Sequence, residues 1–295
     1  MSVYYQDARL TLLHGDAIEQ VRTLDAGSVQ TVVTSPPYFG LRDYGEDGQY
    51  GAEATVGEFV DRLVGLFREI RRVLDDDGTV WLNLGDSYDG GKSLTGAPWL
   101  TALALKADGW VLRSEVIWAK PNAMPESVAD RPSKAHEHLF LLAKSSTYYY
   151  DIDATRVPHS EKSVYAQEAA RRNAHRPGKA AGAPGQQRQS GFAAGLRELN
   201  PKGANRKTVW DVPTVPFTGG HFAVYPPALI RPCVLAGSRP GDTVLDPFSG
   251  SGTTGMVALQ EGRKYVGIDL NADYLDLSLR ERFQQQPLDI FGGFA

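Results

Sequence analysis

The sequence predicts an α/β protein whose core is an open, mostly parallel β-sheet. A strand over 29–33 runs into Thr34-Ser35-Pro36-Pro37-Tyr38, and it must stop there because proline cannot donate to a sheet ladder. Much later, a strand over 242–246 is followed by a glycine turn, a helix and a strand ending in Asp269, which is a βαβ unit. Open α/β sheets place their active sites at the carboxyl ends of strands. The stretch 34–38 therefore lies where an active site is expected.

The elements of the first half follow from hydrophobic periodicity and from glycine and proline stops. Apolar residues recur at helical spacing over 56–74, and Gly109 follows a helix that has Pro98 in its first turn. Runs rich in β-branched residues predict strands. We predict strands over 9–16, 29–33, 79–84, 110–118 and 137–143, and helices over 17–24, 56–74 and 98–106.

The character of the chain changes between about 155 and 205. Residues 177–191 are poor in apolar side chains and rich in Gly, Ala, Gln and Arg, so this stretch is expected to be mobile without a partner. Regular structure is predicted to resume afterwards, with strands over 208–212, 242–246 and 264–269 and helices over 226–235, 256–261 and 272–283. The change of composition predicts an insert.

Composition indicates a soluble globular protein. Of its 295 residues, 42% are hydrophobic and 22% are charged. This length suits one large domain or one domain plus an insert. It has no apolar run of membrane-spanning length and no signal-peptide pattern at Met1, which predicts a cytoplasmic location and no membrane partner. The single cysteine, Cys233, excludes an intramolecular disulfide and a cysteine-based zinc cluster, and we expect a buried thiol in a helix. No metal site is predicted, since His136 and His138 lack a second ligand cluster.

Charge is unevenly distributed along the chain. Residues 155–207 hold eleven Lys and Arg against three Glu, a net charge of about +8, which leaves about −12 for the remainder of a chain whose total is −4. This asymmetry is typical of a polyanion-binding segment on an acidic body.

The glycine turn and its flanking acids predict a particular kind of nucleotide ligand. Gly250, Gly252 and Gly255 form G-x-G-x-x-G between a strand and a helix, and Asp269 can accept hydrogen bonds from ribose hydroxyls. Asp246 stands just before the turn, where its carboxylate would repel a pyrophosphate and attract an ammonium group. A ligand with a ribose and an amino group is S-adenosyl-L-methionine.

Residues 246–255 together with 34–38 resemble the exocyclic-amino DNA methyltransferases of bacteria and phages, which modify N4 of cytosine or N6 of adenine. The catalytic motif precedes the basic segment and the cofactor motif follows it, as in the beta group of that family, and the first motif is of the Ser-Pro-Pro-Tyr type. The resemblance covers nearly the whole chain outside 155–207. It implies a Rossmann-like, seven-stranded, circularly permuted methyltransferase fold. It divides the chain into a catalytic half over 1–154, a basic target-recognition insert over 155–207 and a cofactor-binding half over 208–295.

The resemblance also assigns roles to residues. Ser35 and the Pro36 carbonyl would accept hydrogen bonds from the target amine, Pro37 would stiffen the loop, and Tyr38 would stack on the flipped base. The cofactor-binding residues would be Asp246, Phe248, Gly250, Gly252 and Thr253 at the methionine end, Asp269 at the ribose and Asp16 at the adenine amino group. The DNA-binding residues would be Arg171, Arg172, Arg176, Lys179, Arg188, Lys202, Arg206 and Lys207.

The implied partner is double-stranded DNA, with a cognate restriction endonuclease as a further partner and a monomer or homodimer as the assembly. The serine of the first motif favours N4 of cytosine, with N6 of adenine as the alternative. A nucleotide-dependent oxidoreductase or a non-catalytic DNA-binding protein are alternatives of other classes, and both leave part of the pattern unexplained. A C5-cytosine enzyme needs a cysteine nucleophile at a strand end, whereas Cys233 lies in a predicted helix, and a zinc deaminase needs paired cysteines.

Overall fold

The computed structural model describes residues 3–174, 198–215 and 225–283. Within these ranges the chain forms an α/β fold around one nine-stranded sheet. The strands are Val3–Gln6 (β1), Leu10–His14 (β2), Val29–Thr34 (β3), Leu74–Leu84 (β4), Val111–Ala119 (β5), His136–Ala143 (β6), Val209–Asp211 (β7), Thr243–Asp246 (β8) and Lys264–Asp269 (β9). The helices are Ala17–Arg22 (α1), Val56–Val73 (α2), Ala97–Ala107 (α3), Glu161–Ala174 (α4), Pro227–Gly237 (α5), Thr253–Gln260 (α6) and Ala272–Ser278 (α7), with a 3-10 turn at Asp153–Thr155 and a π-helical turn at Leu279–Phe283.

The sheet order is β1-β2-β9-β8-β3-β4-β6-β5-β7. The five strands from β2 to β4 run parallel to one another, whereas β6 is antiparallel to both β4 and β5. The predicted seven-stranded methyltransferase sheet is confirmed as the seven central strands. Two further strands extend its edges, because β1 pairs antiparallel with β2 and the short β7 pairs parallel with β5. Strand β1 is mostly exposed to solvent, without an alternation of buried and exposed positions. Hydrophobic periodicity therefore could not predict it.

The chain enters the sheet in a permuted order. Strands β8 and β9, which come late in the sequence, lie between β2 and β3, which come early. Thr31 of β3 is in register with Val244 of β8, and Leu13 of β2 is in register with Ile268 of β9. The two predicted halves of the methyltransferase domain therefore share one sheet. The parallel strands bring their carboxyl ends, early and late in sequence, to the same edge.

Helices cover both faces of this sheet, because successive strand residues point to opposite sides. One core lies between the sheet and α1, α2 and α3, and the other lies between the sheet and α5, α6 and α7. On β3, Val32 belongs to the first core and Val33 to the second. Cys233 is completely buried in α5, as predicted. Within the described ranges, no helix has both the length and the apolar character needed to cross a membrane.

Several element boundaries differ from the sequence prediction. Strand β4 begins at Leu74 directly after α2, since Leu74 already pairs with Val29 ahead of a shift in register. Helix α6 begins at Thr253, three residues before the predicted start at Met256, because Gly252 is its N-cap. Helix α2 begins with a capping box in which Thr55 and Glu58 each accept a backbone N–H from the other.

Residues 152–207 form a compact unit separate from the rest of the chain. Within it, Val157 and Ala204 form an isolated antiparallel bridge, and α4 occupies part of the stretch for which no helix was predicted. The low apolar content of 161–174 had removed the periodic signal on which a helix prediction depends. The stretch 177–191, predicted to be mobile, lies outside the described residues, and the target-recognition role of this unit stays a prediction.

Candidate active site

A cleft lies at the edge where the parallel strands end. It encloses about 880 Å³ of empty space, part of it open to solvent. The structure brings seven of the predicted site residues to its wall, although they come from both ends of the sequence. These are Asp16, Ser35, Pro37, Phe248, Gly250, Thr253 and Asp269. Pro36, Tyr38, Asp246 and Gly252 lie beside the cleft but are not part of its lining.

The glycine turn folds as the predicted close-approach loop. Gly250 has φ of 50° and Gly252 has φ of 76°, a left-handed conformation that favours glycine. A Cβ atom on Gly252 would lie 2.7 Å from the ring of Phe283, so this glycine also leaves room for the chain after α7. The turn is tied to the next strand, because the Gly250 N–H donates to Oδ2 of Asp269 at 2.7 Å.

Asp269 ends β9, and its half-buried carboxylate lies at the cleft wall. Its Oδ1 accepts the N–H of Asn271 at 2.9 Å while Oδ2 accepts that of Gly250. Burial is the main influence on this group and raises the pKa of Asp269 to about 6, although the two N–H donors favour the charged form. The carboxylate therefore titrates close to neutral pH.

Cofactor binding is expected to weaken as the pH falls through 6. The predicted ribose contact needs the ionised form of Asp269, which predominates above its pKa of about 6 and is lost below it. Affinity for S-adenosyl-L-methionine, measured by calorimetry, should fall by about tenfold between roughly pH 7 and pH 5. Asp269→Asn should bind weakly at both values with little pH dependence. An unchanged pH dependence in this variant would assign the titration to another group.

Asp246 is the centre of a buried hydrogen-bond cluster. Its Oδ1 accepts the Thr34 hydroxyl at 2.7 Å and the Phe248 N–H at 3.1 Å. Its Oδ2 accepts the Thr254 hydroxyl at 2.8 Å and the Tyr225 hydroxyl at 3.1 Å. Burial raises the pKa of Asp246, while these donors act in the opposite direction. This carboxylate ties the end of β3 to the glycine turn that follows β8.

Asp16 has two structural partners as well as a place in the cleft wall. Its Oδ1 caps α1 by accepting the N–H groups of Ile18 and Glu19, and Arg62 of α2 reaches its Oδ2 at 3.4 Å. Arg62 also lies over the ring of Tyr50, with its guanidinium carbon 3.8 Å from the ring centroid. This arginine therefore fixes the loop after the Ser-Pro-Pro-Tyr motif, part of which lines the cleft.

The Ser-Pro-Pro-Tyr loop is held by a polar cluster on the neighbouring strands. The Tyr38 hydroxyl donates to Oε2 of Glu137 at 2.6 Å and accepts from Nδ2 of Asn83 at 2.7 Å. The Ser35 hydroxyl donates to the Tyr38 oxygen at 3.2 Å, and Lys120 pairs with Oε1 of Glu137. We call these five residues, Ser35, Tyr38, Asn83, Lys120 and Glu137, the tyrosine cluster.

Sequence reasoning missed three members of the tyrosine cluster. Asn83 lies near the carboxyl end of β4, where a polar side chain inside an apolar run was a usable signal. Glu137 lies near the amino end of β6, and it reaches the same edge of the sheet only because β6 is antiparallel to its neighbours. The direction of a strand is not visible in its composition, so Glu137 and its partner Lys120 could not be placed. Tyr225 and Arg62 were also not assigned roles in advance.

Gly85 leaves room for the Tyr38 ring, and Gly85→Ala is expected to lower turnover by about tenfold or more. A Cβ atom at position 85 would lie 2.6 Å from Cε2 of Tyr38, so the ring and its hydroxyl must move. Methyl transfer should be measured together with the melting temperature. Gly90→Ala is the matched control, since a Cβ there has nothing within 4 Å. Equal turnover of the two variants would contradict a role for the Tyr38 position.

The predicted DNA-binding residues are only partly described. Arg171 and Arg172 lie on α4, whereas Arg176, Lys179 and Arg188 fall outside the described residues. Lys202 donates to Asp153 at 2.6 Å and Arg206 to the Thr155 carbonyl at 3.4 Å, all within the separate unit. Lys207 also belongs to this unit.

The lining of the cleft fits a ligand with polar and apolar parts. Thr253 is buried at the wall, and its hydroxyl has no hydrogen-bond partner among the described residues. A buried hydroxyl without a partner costs about 1–3 kcal/mol, which a polar atom of a ligand would recover. Phe248, whose ring meets that of Tyr50 edge to face at 5.0 Å between centroids, supplies apolar surface nearby. Asp269 and Asp16 supply acceptors, which suits the hydroxyl and amino groups of S-adenosyl-L-methionine.

The sheet order, the glycine turn after β8 and the Ser-Pro-Pro-Tyr loop define a DNA methyltransferase. A family model described as DNA methylase matches residues 29–280, and the chain belongs to that family. It is 46% identical over 297 residues to the Type II methyltransferase M.Cfr9I of Citrobacter freundii, a match that covers 91% of this chain and 86% of that relative. The predicted class of exocyclic-amino DNA methyltransferase is thereby confirmed, and the oxidoreductase and non-catalytic alternatives are set aside.

Solved structures share this fold. The cytosine-N4-specific PvuII DNA methyltransferase matches with a TM-score of 0.69 at 19% identity, over 98% of this chain and 90% of that one. TTHA0409 of Thermus thermophilus, complexed with S-adenosyl-L-methionine, matches with a TM-score of 0.60 at 22% identity, over 94% of this chain and 95% of that one. These likenesses confirm the predicted fold class.

Proposed function

We propose that this DNA methyltransferase methylates N4 of a cytosine that has been flipped out of double-stranded DNA. Its cofactor is S-adenosyl-L-methionine, which supplies the electrophilic methyl group when bound. The observation that carries the choice of cytosine is Ser35 at the first position of the motif, a residue of the cleft wall. In the family that the sequence resembles, serine at this position occurs more in N4-cytosine enzymes, and Asp or Asn more in N6-adenine enzymes.

The chemical difficulty is the weak nucleophilicity of the target amine. Its lone pair is delocalised into the base, and hydrogen bonds from both of its N–H groups would shift the nitrogen toward a tetrahedral shape. In our proposal the Ser35 hydroxyl oxygen accepts one of these bonds and the Pro36 carbonyl accepts the other. Pro36 and Pro37 restrict the backbone, so the two acceptors are in place before the base arrives. No covalent enzyme intermediate is required.

Tyr38 is proposed to stack on the flipped base. Stacking offsets part of the few kcal/mol that base flipping costs. The ring packs against Gly85 and its hydroxyl is held by Glu137 and Asn83, so its plane is fixed in advance. A fixed ring loses little conformational freedom when the base binds.

The proposed roles in cofactor binding follow the geometry of the cleft. Asp269 accepts the ribose hydroxyls and Asp16 the adenine amino group, through the lone pairs that are not used by their structural partners. Phe248, Gly250 and Thr253 line the methionine end. Asp246 and Gly252 act behind that wall, since Asp246 is buried in its own hydrogen-bond cluster and Gly252 begins α6.

Residues 155–207 are proposed as the target-recognition insert between the catalytic half, 1–154, and the cofactor-binding half, 208–295. The support is the net charge of about +8 and the separation of 152–207 as a compact unit. A cationic segment of this kind neutralises phosphates and leaves base-edge contacts to choose the sequence.

Replacing Lys202 and Lys207 by alanine is expected to weaken duplex binding and its dependence on salt. Each lost phosphate contact should reduce the slope of log affinity against log salt concentration by about 0.9. The measurement is a salt titration of binding to a duplex by fluorescence anisotropy. Lys264→Ala is the control, because Lys264 lies at the amino end of β9, away from the edge that carries the cleft. Equal slopes for the variant and the wild type would place the DNA surface elsewhere.

The base is tested by methylating a DNA library and analysing the nucleosides by mass spectrometry, with modification-aware sequencing for the site. N4-methylcytosine is the expected product. N6-methyladenine would replace the proposed target while leaving the methyltransferase class intact.

The finer partner assignments rest on the Type II class of the relatives. We propose that the methylation protects DNA from a cognate restriction endonuclease, as in a restriction-modification pair, and that the enzyme acts as a monomer or homodimer in the cytoplasm, where such DNA lies. Light scattering of the purified enzyme measures the assembly. Cleavage of methylated and unmethylated DNA by an endonuclease encoded beside this chain tests the pairing.

A further inference from the structure

We propose that Glu137 is a positioning residue that sets the direction of the hydrogen bonds around Ser35, so that the Ser35 oxygen faces the target amine as an acceptor. The inference rests on the proposed role of Ser35 as an acceptor. It assigns a role in the reaction to Glu137 of β6, which otherwise has none. It follows from a count of donors and acceptors in the tyrosine cluster.

The Tyr38 hydroxyl has all of its hydrogen-bonding capacity in use. A phenol has one proton to donate and can accept two hydrogen bonds. Glu137 Oε2, 2.6 Å away, is a carboxylate oxygen and can only accept, so the Tyr38 proton points to it. Burial and the nearby Glu137 carboxylate raise the pKa of Tyr38 well above its usual value, so the hydroxyl keeps this proton. Both remaining positions on the Tyr38 oxygen are therefore acceptors.

Asn83 and Ser35 fill these two positions. The Asn83 side chain must turn its NH2 group toward Glu137, since Oε2 lies 2.7 Å from Nδ2, and the same nitrogen donates to the Tyr38 oxygen at 2.7 Å. The other position accepts the Ser35 hydroxyl proton at 3.2 Å. Nδ2 of Asn83 also approaches the Ser35 oxygen, at 3.5 Å. With its proton directed to Tyr38, the Ser35 oxygen keeps a lone pair for the amine.

Lys120 makes the arrangement depend on a carboxylate at position 137. The Lys120 ammonium is a pure donor, and it occupies Oε1 of Glu137. In Glu137→Gln, the amide oxygen must face Lys120, so the amide NH2 group faces Tyr38. That NH2 group would also face Nδ2 of Asn83, which donates to Oε2 in the wild type as the Tyr38 hydroxyl does. With no acceptor left at this position of residue 137, the Tyr38 proton can turn toward Ser35, and the Ser35 proton is no longer held on Tyr38.

The ion pair between Lys120 and Glu137 is shielded from solvent. The side chains of Lys120 and Glu137 are 20% and 12% exposed, and the Lys120 nitrogen lies 4.4 Å from the centroid of the Trp118 ring. Limited solvent access means that water cannot easily supply a substitute donor or acceptor. The direction of these hydrogen bonds is therefore set by protein groups and not by water.

The test is steady-state and single-turnover methylation by Glu137→Gln, with Glu69→Gln on the surface of α2 as the matched control. We expect kcat of Glu137→Gln to fall by about a hundredfold, the usual scale for one misdirected group at a reacting centre. Affinity for S-adenosyl-L-methionine and KM for DNA should stay within about threefold of wild type. Wild-type kcat in Glu137→Gln would overturn the proposal.

A second substitution distinguishes a change in hydrogen-bond direction from a change in packing. In the double variant Glu137→Gln with Lys120→Met, the amide no longer faces a fixed donor and can turn its oxygen toward Tyr38. We expect kcat to recover by about tenfold relative to Glu137→Gln, the scale of one restored hydrogen bond. No recovery in a double variant with an unchanged melting temperature would overturn the proposal.

Ser35→Ala assayed in parallel keeps the two hypotheses apart. An active Ser35→Ala enzyme would remove the proposed role of Ser35 and this inference with it. An inactive Ser35→Ala enzyme beside a fully active Glu137→Gln enzyme would remove only the role of Glu137.

Discussion

Ser35→Ala is expected to reduce methyl transfer by about 10²- to 10³-fold while leaving cofactor affinity nearly unchanged. The substitution removes one of the two acceptors proposed for the target amine. Ser35 makes its side-chain hydrogen bonds within the tyrosine cluster, so its removal leaves the hydrogen bonds of Asp246 and Asp269 unchanged. Single-turnover methylation measures the first effect, and calorimetry with S-adenosyl-L-methionine measures the second.

Ser28→Ala is the matched control for this substitution. Ser28 lies just before the amino end of β3, the same strand whose carboxyl end leads into Ser35, and its hydroxyl bonds only the nearby Asp25 carbonyl among the described contacts. We expect full activity from it. Turnover of Ser35→Ala equal to that of Ser28→Ala would refute the proposed role of the serine.

Asp246→Ala is expected to abolish measurable cofactor binding and to lower the free energy of unfolding by about 3 kcal/mol. The substitution leaves the buried hydroxyls of Thr34, Thr254 and Tyr225 without their common acceptor. It also frees the turn that follows β8, because the Phe248 N–H loses its partner. Denaturant unfolding gives the stability, and calorimetry on the folded variant gives the affinity.

The control for Asp246 lies at the other end of the same strand. Asp242 precedes β8 and accepts the Arg239 N–H at the surface, so Asp242→Ala should cost about 1 kcal/mol or less and leave cofactor affinity unchanged. Full cofactor affinity in Asp246→Ala would show that the glycine turn holds its shape without the buried carboxylate.

Much of the fold could be predicted because the sequence marks strand ends clearly. Pro36 and Pro37 mark the end of β3, and the glycines at 250, 252 and 255 mark the turn between β8 and α6. Hydrophobic periodicity predicted α2, which begins and ends within a residue of its expected limits. Parallel strands share an edge, so the meeting of two motifs from distant parts of the chain was also predictable.

The features that could not be predicted depend on the direction of a strand and on how deeply a side chain is buried. Glu137 reaches the active-site edge only because β6 is antiparallel, which its apolar run does not reveal. Asp246 was expected at the cofactor surface, yet it is buried behind the cleft wall, because Thr34, Thr254 and Tyr225 enclose it. The spacing of residues predicts that a side chain is near a ligand, but not which neighbours stand between them.

The position of β8 and β9 between β2 and β3 has a consequence for how the enzyme matures. Strands β2 and β3 each lack one sheet neighbour until β8 and β9 have been synthesised, so these central pairings are non-local and should form late in folding. Ser35 and the glycine turn come together in the same event. A nascent chain thus acquires its acceptor site and its cofactor site in one step, and an incomplete chain is expected to possess neither.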